Sequence, residues 1–262
     1  MPAAPESLFA HVCHLLTDPS CDRWPEAEAL WQDRRQEAPE DPEVLAVEGE
    51  MALRRDYPGL AVALLEQAVA GCAAAAPVAW LASLAMAYRL AERPEHAIAT
   101  YRRLLSQDPR HVDGWNALGI LLRDLGRTSE AVAAFEALIR VKPSHAGAIR
   151  RLGTCLQQGG DPAGAEAAYR RAIAVKPDYI EAYTNLGQVR EAQGDAQGAL
   201  DAFRTAVSLK RDFAPSWYAL GQALVRRGRR DEAITALTTA VDLYPWYADA
   251  HRTLLELGYR WA

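Results

Sequence analysis

Trp115-Asn116-Ala117-Leu118-Gly119, followed at fixed distances by Ala131, Phe135 and Pro143, is the stretch that decides the fold. A small residue returns every 34 places on both sides of it, at Ala97, Ala131, Ala165, Ala199 and Ala233. Twelve places before each of these stands another small residue (Ala85, Gly119, Gly153, Gly187, Gly221). Four places after each stands a large one (Tyr101, Phe135, Tyr169, Phe203, Leu237). Such a period marks a repeat protein, in which each unit buries its apolar face by stacking on its neighbours.

Five units keep this spacing without a gap: 78–111, 112–145, 146–179, 180–213 and 214–247. Before them, 42–75 holds Gly49, Ala61, Leu65 and Ala68 at the same places, with Ala76 and Pro77 as two extra residues. The stretch 8–41 keeps Ala27, Trp31 and Pro39, and reads either as a degenerate repeat or as a cap. Residues 248–262 begin a further first helix, with Leu254 and Leu255 at the Leu-Gly places; a lone helix there would cover the apolar face of the last repeat. Within a unit, Trp115, Leu118 and Leu122 (or Trp217, Leu220 and Leu224) fall on one face of a first helix. Breaks such as Gly126-Arg127, Gly160-Asp161 and Gly194-Asp195 end it, because glycine accepts the left-handed conformation of a helix terminus. A second helix runs to Asp108-Pro109, Lys142-Pro143 or Lys176-Pro177. A glycine inside a helix costs about 1 kcal/mol relative to alanine, so the recurring Gly119, Gly153, Gly187 and Gly221 call for an offset. Close approach of the second helix to bare backbone is the expected one.

The pattern Trp115, Leu118, Gly119, Ala131, Phe135 and Pro143 resembles the tetratricopeptide repeat. The resemblance implies an all-α, right-handed superhelical solenoid of helix-turn-helix repeats with a C-terminal capping helix. It covers 1–262 as a single domain. It also implies a non-catalytic scaffold or adaptor that holds a peptide or protein partner in a concave groove made by the first helices. The alternative reading is an accessory module that presents substrates to a separate enzyme, such as a protein glycosyltransferase.

In that family the groove is lined one, four, eight and eleven places after each repeat start. Those places carry Arg89 on the unit at 78; Asn116 and Arg123 on the next; Arg150, Thr154 and Gln157; Gln188; and Tyr218, with Arg151 and Asn185 beside the strip. Arg89, Arg123, Arg150 and Arg151 form a basic centre, which suits an acidic or carboxylate-bearing segment. The chaperone-type carboxylate clamp finds compatible residues at Arg150 and Asn185 but not at Thr154, Pro215 or Ala219. The asparagine ladder of the glycosyltransferase kind is present at Asn185 and broken at Ser83, Ala117, Arg151 and Ala219. Arg190 stands where other units have Leu or Tyr, and is expected to carry its head out along the core edge.

Net charge is −5, with thirteen acidic and five basic residues before position 61, giving −8 there and +3 beyond. An acidic head on a mildly basic body is a solvated end or a steering device, including toward a second copy, so a homo-oligomer stays open. The balance does not favour nucleic acid. The start has no basic residue ahead of its apolar stretch, and no apolar run is long enough to span a membrane, so a cytoplasmic protein is expected. The four cysteines show no CxxC spacing, and reduced thiols follow. His11, Cys13, His14 and Cys21 could meet a metal, since His11 and His14 share a helix face. In repeat register the two histidines occupy places that bury Trp and Leu elsewhere, so packing is the favoured reading. No phosphate loop, no HExxH and no Ser/His/Asp arrangement is present; neither a catalytic residue nor a cofactor or metal is expected. Trp246, Tyr247, Tyr259 and Trp261 crowd one end, as cap packing or as a docking surface.

Overall fold

The structure is a computed structural model in which residues 7–17, 23–72 and 75–259 are described. Among them the chain forms 15 α-helices and no strand, in consecutive pairs. The pairs are α1 (Leu8–Leu16) with α2 (Trp24–Glu37), α3 (Pro42–Arg54) with α4 (Pro58–Gly71), and α5 (Val78–Leu90) with α6 (Pro94–Gln107). Next in chain order come α7 (Val112–Asp124) and α8 (Thr128–Val141), then the pairs α9 (Ala146–Gln158) with α10 (Pro162–Val175) and α11 (Ile180–Ala192) with α12 (Ala196–Leu209). Then follow α13 (Ala214–Arg226), α14 (Arg230–Leu243) and the unpaired α15 (Ala248–Glu256). From α3 onward every first helix begins at the residue where the sequence period places a new repeat. The architecture is therefore all-α and made of helical hairpins. Contacts group into two units, Met1–Leu121 and Leu122–Ala262.

In the second unit, size complementarity within each hairpin explains the recurring glycines. A methyl group added at Gly153 would stand 2.7 Å from the Tyr169 ring, and one at Gly187 would stand 2.5 Å from Phe203. Both rings are fully buried. The second helix thus lays its largest side chain on bare backbone, and the apolar area gained offsets the helix-propensity cost. The first unit repeats the device with Leu65 over Gly49. One step further along the same pattern, Ala165 is wholly buried in a cluster with Tyr169, Leu186, Val189 and Ala202.

Helix starts are fixed by local chemistry. The imidazole Nδ1 of His145 accepts the Ala148 amide at 3.0 Å, and His111 does the same for Gly114 at 2.9 Å, so these histidines act as N-caps. Asp161 and Asp195 cap α10 and α12 in the same way. The indoles of Trp115 and Trp217 donate to the turn carbonyls of Pro109 (2.9 Å) and Arg211 (2.8 Å), which ties a core ring to the preceding turn. α15 closes the second unit by burying Ala250 and Leu254 against Leu237, Ala240 and Val241. No helix among the described residues is long and apolar enough to cross a membrane.

Three expectations need correction. His11 and His14 are exposed, because α1 buries Phe9, Val12, Leu15 and Leu16, one step away from the register that would have packed the histidines. Arg190 does not carry its head outward. It lies half-buried with Nε 3.1 Å from Glu166, and it donates to the Gly198 carbonyl at 3.3 Å, joining one repeat to the preceding one. Trp246 packs nothing and is 83% exposed, whereas Tyr247 and Tyr259 do pack against the α14–α15 cluster. Cys21 and Trp261 lie outside the described residues. Cys13, Cys72 and Cys155 are free thiols.

Two stability predictions follow from these contacts. The turn between paired helices needs a left-handed residue, supplied by Gly160 (φ 81°) and its counterparts but by Asp56 (φ 61°) and Glu92 (φ 56°) in the first unit. Asp56→Gly and Glu92→Gly are each expected to stabilise by about 0.5–1 kcal/mol in urea denaturation, since glycine relieves the side-chain clash. Ala165→Glu should cost about 3–5 kcal/mol, because an unpaired carboxylate would be forced into a filled helix contact. An unchanged thermal midpoint would show that Ala165 does not sit in that contact.

Candidate functional site

The first helices of the second unit bring most of the sequence-predicted residues onto one strip. On α9, Arg150 donates from Nε to the Tyr179 hydroxyl at 2.9 Å, with its guanidinium 5.7 Å from the centre of that ring. Lys176 stands over the same ring at 5.3 Å, a basic residue that the repeat positions do not select. Arg151 is half-buried beside Gly147, where an added methyl would come within 3.1 Å of its guanidinium. Burial, then the charges of Arg150 and Arg123, push the Arg151 pKa below the usual arginine range. Arg123, at the end of α7, is held by Asp124 through contacts of 2.7 and 3.0 Å.

Further along the strip the polar groups are cross-linked. The buried Tyr169 hydroxyl lies 3.0 Å from Gln157 Oε1 and 3.3 Å from Thr154 Oγ1, and it is also hydrogen-bonded to Asn185. Burial raises its pKa, so it stays a neutral phenol. The residue that seats the ring on Gly153 therefore also organises three of the candidate side chains.

Between α11 and α13 a pocket of about 420 Å³ is lined by Thr184, Gln188, Glu191, Tyr218, Gln222 and Tyr247, with Phe203 in its wall. Gln188 is exposed and Tyr218 half-buried. The Tyr218 and Tyr247 rings meet at a tilt of 37° with centres 4.8 Å apart. Gln222 donates to the Tyr218 hydroxyl at 3.0 Å and to Thr253 at 2.8 Å. Arg226 grips Glu191 through two contacts of 2.8 and 2.5 Å, which cancels the charge at that end. Burial, followed by Tyr218 and Asp249, holds the Tyr247 hydroxyl protonated above the usual tyrosine range.

The strip of the first unit has a different character. Arg89 is exposed, donates to Met86 Sδ at 2.8 Å and is hydrogen-bonded to Tyr101. Asn116 is half-buried on α7. Two of the first-unit pockets include carboxylates that the sequence reading missed. Glu50 is buried, accepting from Arg54 at 3.0 Å and Ser83 at 2.7 Å, and Glu43 accepts the Phe9 amide at 3.1 Å. Glu43 lines a pocket of about 440 Å³, and Glu50 lines both that pocket and one of about 460 Å³. Reading the strip one repeat earlier, from Pro42, selects both residues. Burial and then Glu50 push the Cys13 thiol up to about 12, so it stays protonated. Among the described residues no group of three or more His, Cys, Asp or Glu is arranged to hold a metal.

A family profile described as tetratricopeptide repeat matches residues 82–146, 116–179 and 150–215, and a second of the same description matches 190–255. No curated protein matches the sequence. Among solved structures, MamA is 26% identical, with a TM-score of 0.57, over 63% of this chain and 97% of that one. YrrB, described as a TPR protein with an unusual peptide-binding site, is 21% identical, with a TM-score of 0.54, over 68% of this chain and 91% of that one. The C-terminal part of a TPR repeat-containing protein from Cytophaga hutchinsonii is 15% identical, with a TM-score of 0.75, over 94% of this chain and 99% of that one. The last two likenesses are of fold.

The cross-link through Tyr169 can be weighed directly. Tyr169→Phe keeps the ring on Gly153 and removes the hydroxyl, so the expected loss is about 1 kcal/mol, the worth of a partly buried hydrogen bond. Urea denaturation checks it, and a loss near that of a ring deletion, about 3–5 kcal/mol, would mean the ring rather than the hydroxyl had been disturbed.

Proposed function

The chain belongs to the tetratricopeptide repeat family, and from that premise we propose that it is a non-catalytic scaffold that holds an extended acidic segment of a partner along the first helices of its second unit. The observation that carries this reading is the strip itself. Arg150, Thr154, Gln157, Asn185, Gln188 and Tyr218 come from successive first helices, and Arg150, Thr154, Gln157 and Asn185 are held by contacts to Tyr169 and Tyr179. Side chains already held in place lose less freedom on binding, which favours affinity. Arginine near amide side chains suits both the carboxylates and the backbone of an extended peptide. YrrB, a neighbour in fold, is described as having a peptide-binding site, which is compatible with the reading.

The reading is tested with an array of extended peptides of graded acidity, followed by calorimetry on the binders. Arg150→Ala and Arg151→Ala should each weaken an acidic binder by about 1.5–3 kcal/mol, and Arg89→Ala, exposed on the other unit, by under about 1 kcal/mol. Binding should fall as salt rises. Equal affinity in all variants, with no salt dependence, would remove the strip as the binding surface.

A further inference from the structure

The pocket between α11 and α13 spends its charges internally and keeps hydroxyl protons to give. Its two charged lining residues are bound to each other, both carboxylate oxygens of Glu191 accepting from Arg226. Asp249, the acid that bears on Tyr247, is paired with Arg252. The Thr184 hydroxyl donates to the Ile180 carbonyl at 3.1 Å. Gln222 turns its amide hydrogens inward, to the Tyr218 oxygen at 3.0 Å and to Thr253 at 2.8 Å. Because that oxygen accepts, the proton of the Tyr218 hydroxyl is left for another acceptor. Among the described residues no acceptor takes it, and none takes the hydroxyl proton of Tyr247. Aromatic surface bounds the same space, with the two tyrosine rings in the lining and Phe203 in the wall.

Aromatic faces, spare phenol protons and cancelled charge select the occupant. A charged side chain would meet no opposite charge free to pair with it, and a small polar one would leave the rings uncovered. Proline brings an apolar ring and no N–H, so a proline segment offers carbonyls that can only accept. Such a segment also holds its extended form unaided, and aromatic-lined grooves exploit that. We propose that this pocket takes a proline-containing part of the bound segment, a pyrrolidine ring lying against Tyr218 and Tyr247 and carbonyls accepting from their hydroxyls. The proposal rests on the strip being the binding surface. The pocket lies on that strip: Gln188 in its lining is one turn beyond Asn185 on α11, and α11 adjoins both α9 and α13. It gives the bound segment an uncharged element, read separately from the acidic one.

Calorimetry on the full chain with three neutral probes tests this: Ac-Pro-Pro-Pro-Pro-Pro-Pro-NH2, Ac-Gly-Ser-Gly-Ser-Gly-Ser-NH2 and Ac-Gly-Ser-Phe-Ser-Gly-Ser-NH2. The proline peptide should bind at least about tenfold more tightly than either of the others. Its binding should not change with salt, unlike that of an acidic binder. Tyr218→Phe and Tyr247→Phe, which keep the rings, should each weaken it about threefold to tenfold, and Tyr218→Ala by more than about tenfold, with helicity by circular dichroism unchanged. The Phe peptide binding as tightly as the proline peptide would overturn the proline assignment in favour of a general apolar pocket. Proline-peptide affinity unchanged in all three tyrosine variants would overturn the placement in this pocket. No binding of the proline peptide, with acidic peptides of the array still bound, would overturn the proposal and leave the acidic-segment reading standing. Binding of none of the three probes and none of the array would overturn both.

Discussion

The structure depends on a single steric relation, a large side chain of each second helix seated on a residue without bulk in the first. Tyr169 on Gly153 and Phe203 on Gly187 are the clearest instances, and Leu65 on Gly49 shows that an aliphatic group serves equally. The relation sets how closely the two helices of a hairpin approach, and therefore where the opposite face of each first helix points. In a stack where each repeat touches only its neighbours, an error in that distance would recur at every hairpin. This explains why a residue as poor in helix propensity as glycine returns at the same place.

The hairpin packing and the candidate strip share the same residues. The Tyr169 ring is part of the hairpin contact, while its hydroxyl gathers Thr154, Gln157 and Asn185. Phe203 fills the space over Gly187 and forms part of the wall of the pocket beside Tyr218. Electrostatics then separate the two units. In the first unit Glu43 and the Arg54-paired Glu50 line two pockets, whereas the second carries Arg150 and Lys176 about Tyr179 and an ion-paired Glu191–Arg226 further along its strip.

Much of the fold was legible because a 34-residue period reports packing directly: the small and large residues recur where helices meet, and each first helix from α3 onward starts where the period predicts. The limits appear where the signal is not periodic. His11 and His14 looked packed by analogy, but α1 buries a neighbouring set of positions, since a degenerate unit has no glycine contact to fix its register. Arg190 read as a surface-seeking exception and is an inter-repeat tie, because its partner Glu166 lies 24 residues away and no local pattern joins them. Lys176 sits in a turn, and only the coordinates show that it shares Tyr179 with Arg150. The candidate strip was visible as a list of positions; the hydroxyl groups that hold it in place were not.

The central claim is that side-chain size is matched across each hairpin, and a double-mutant cycle on Gly187 and Phe203 measures it most directly. Gly187→Ala alone should cost about 1–3 kcal/mol by overpacking against the ring. In the Phe203→Leu background the same change should cost at least about 1 kcal/mol less, a coupling expected of residues in direct contact. Costs that add within about 0.5 kcal/mol would contradict the account, because they would mean that the glycine is not there to receive the ring.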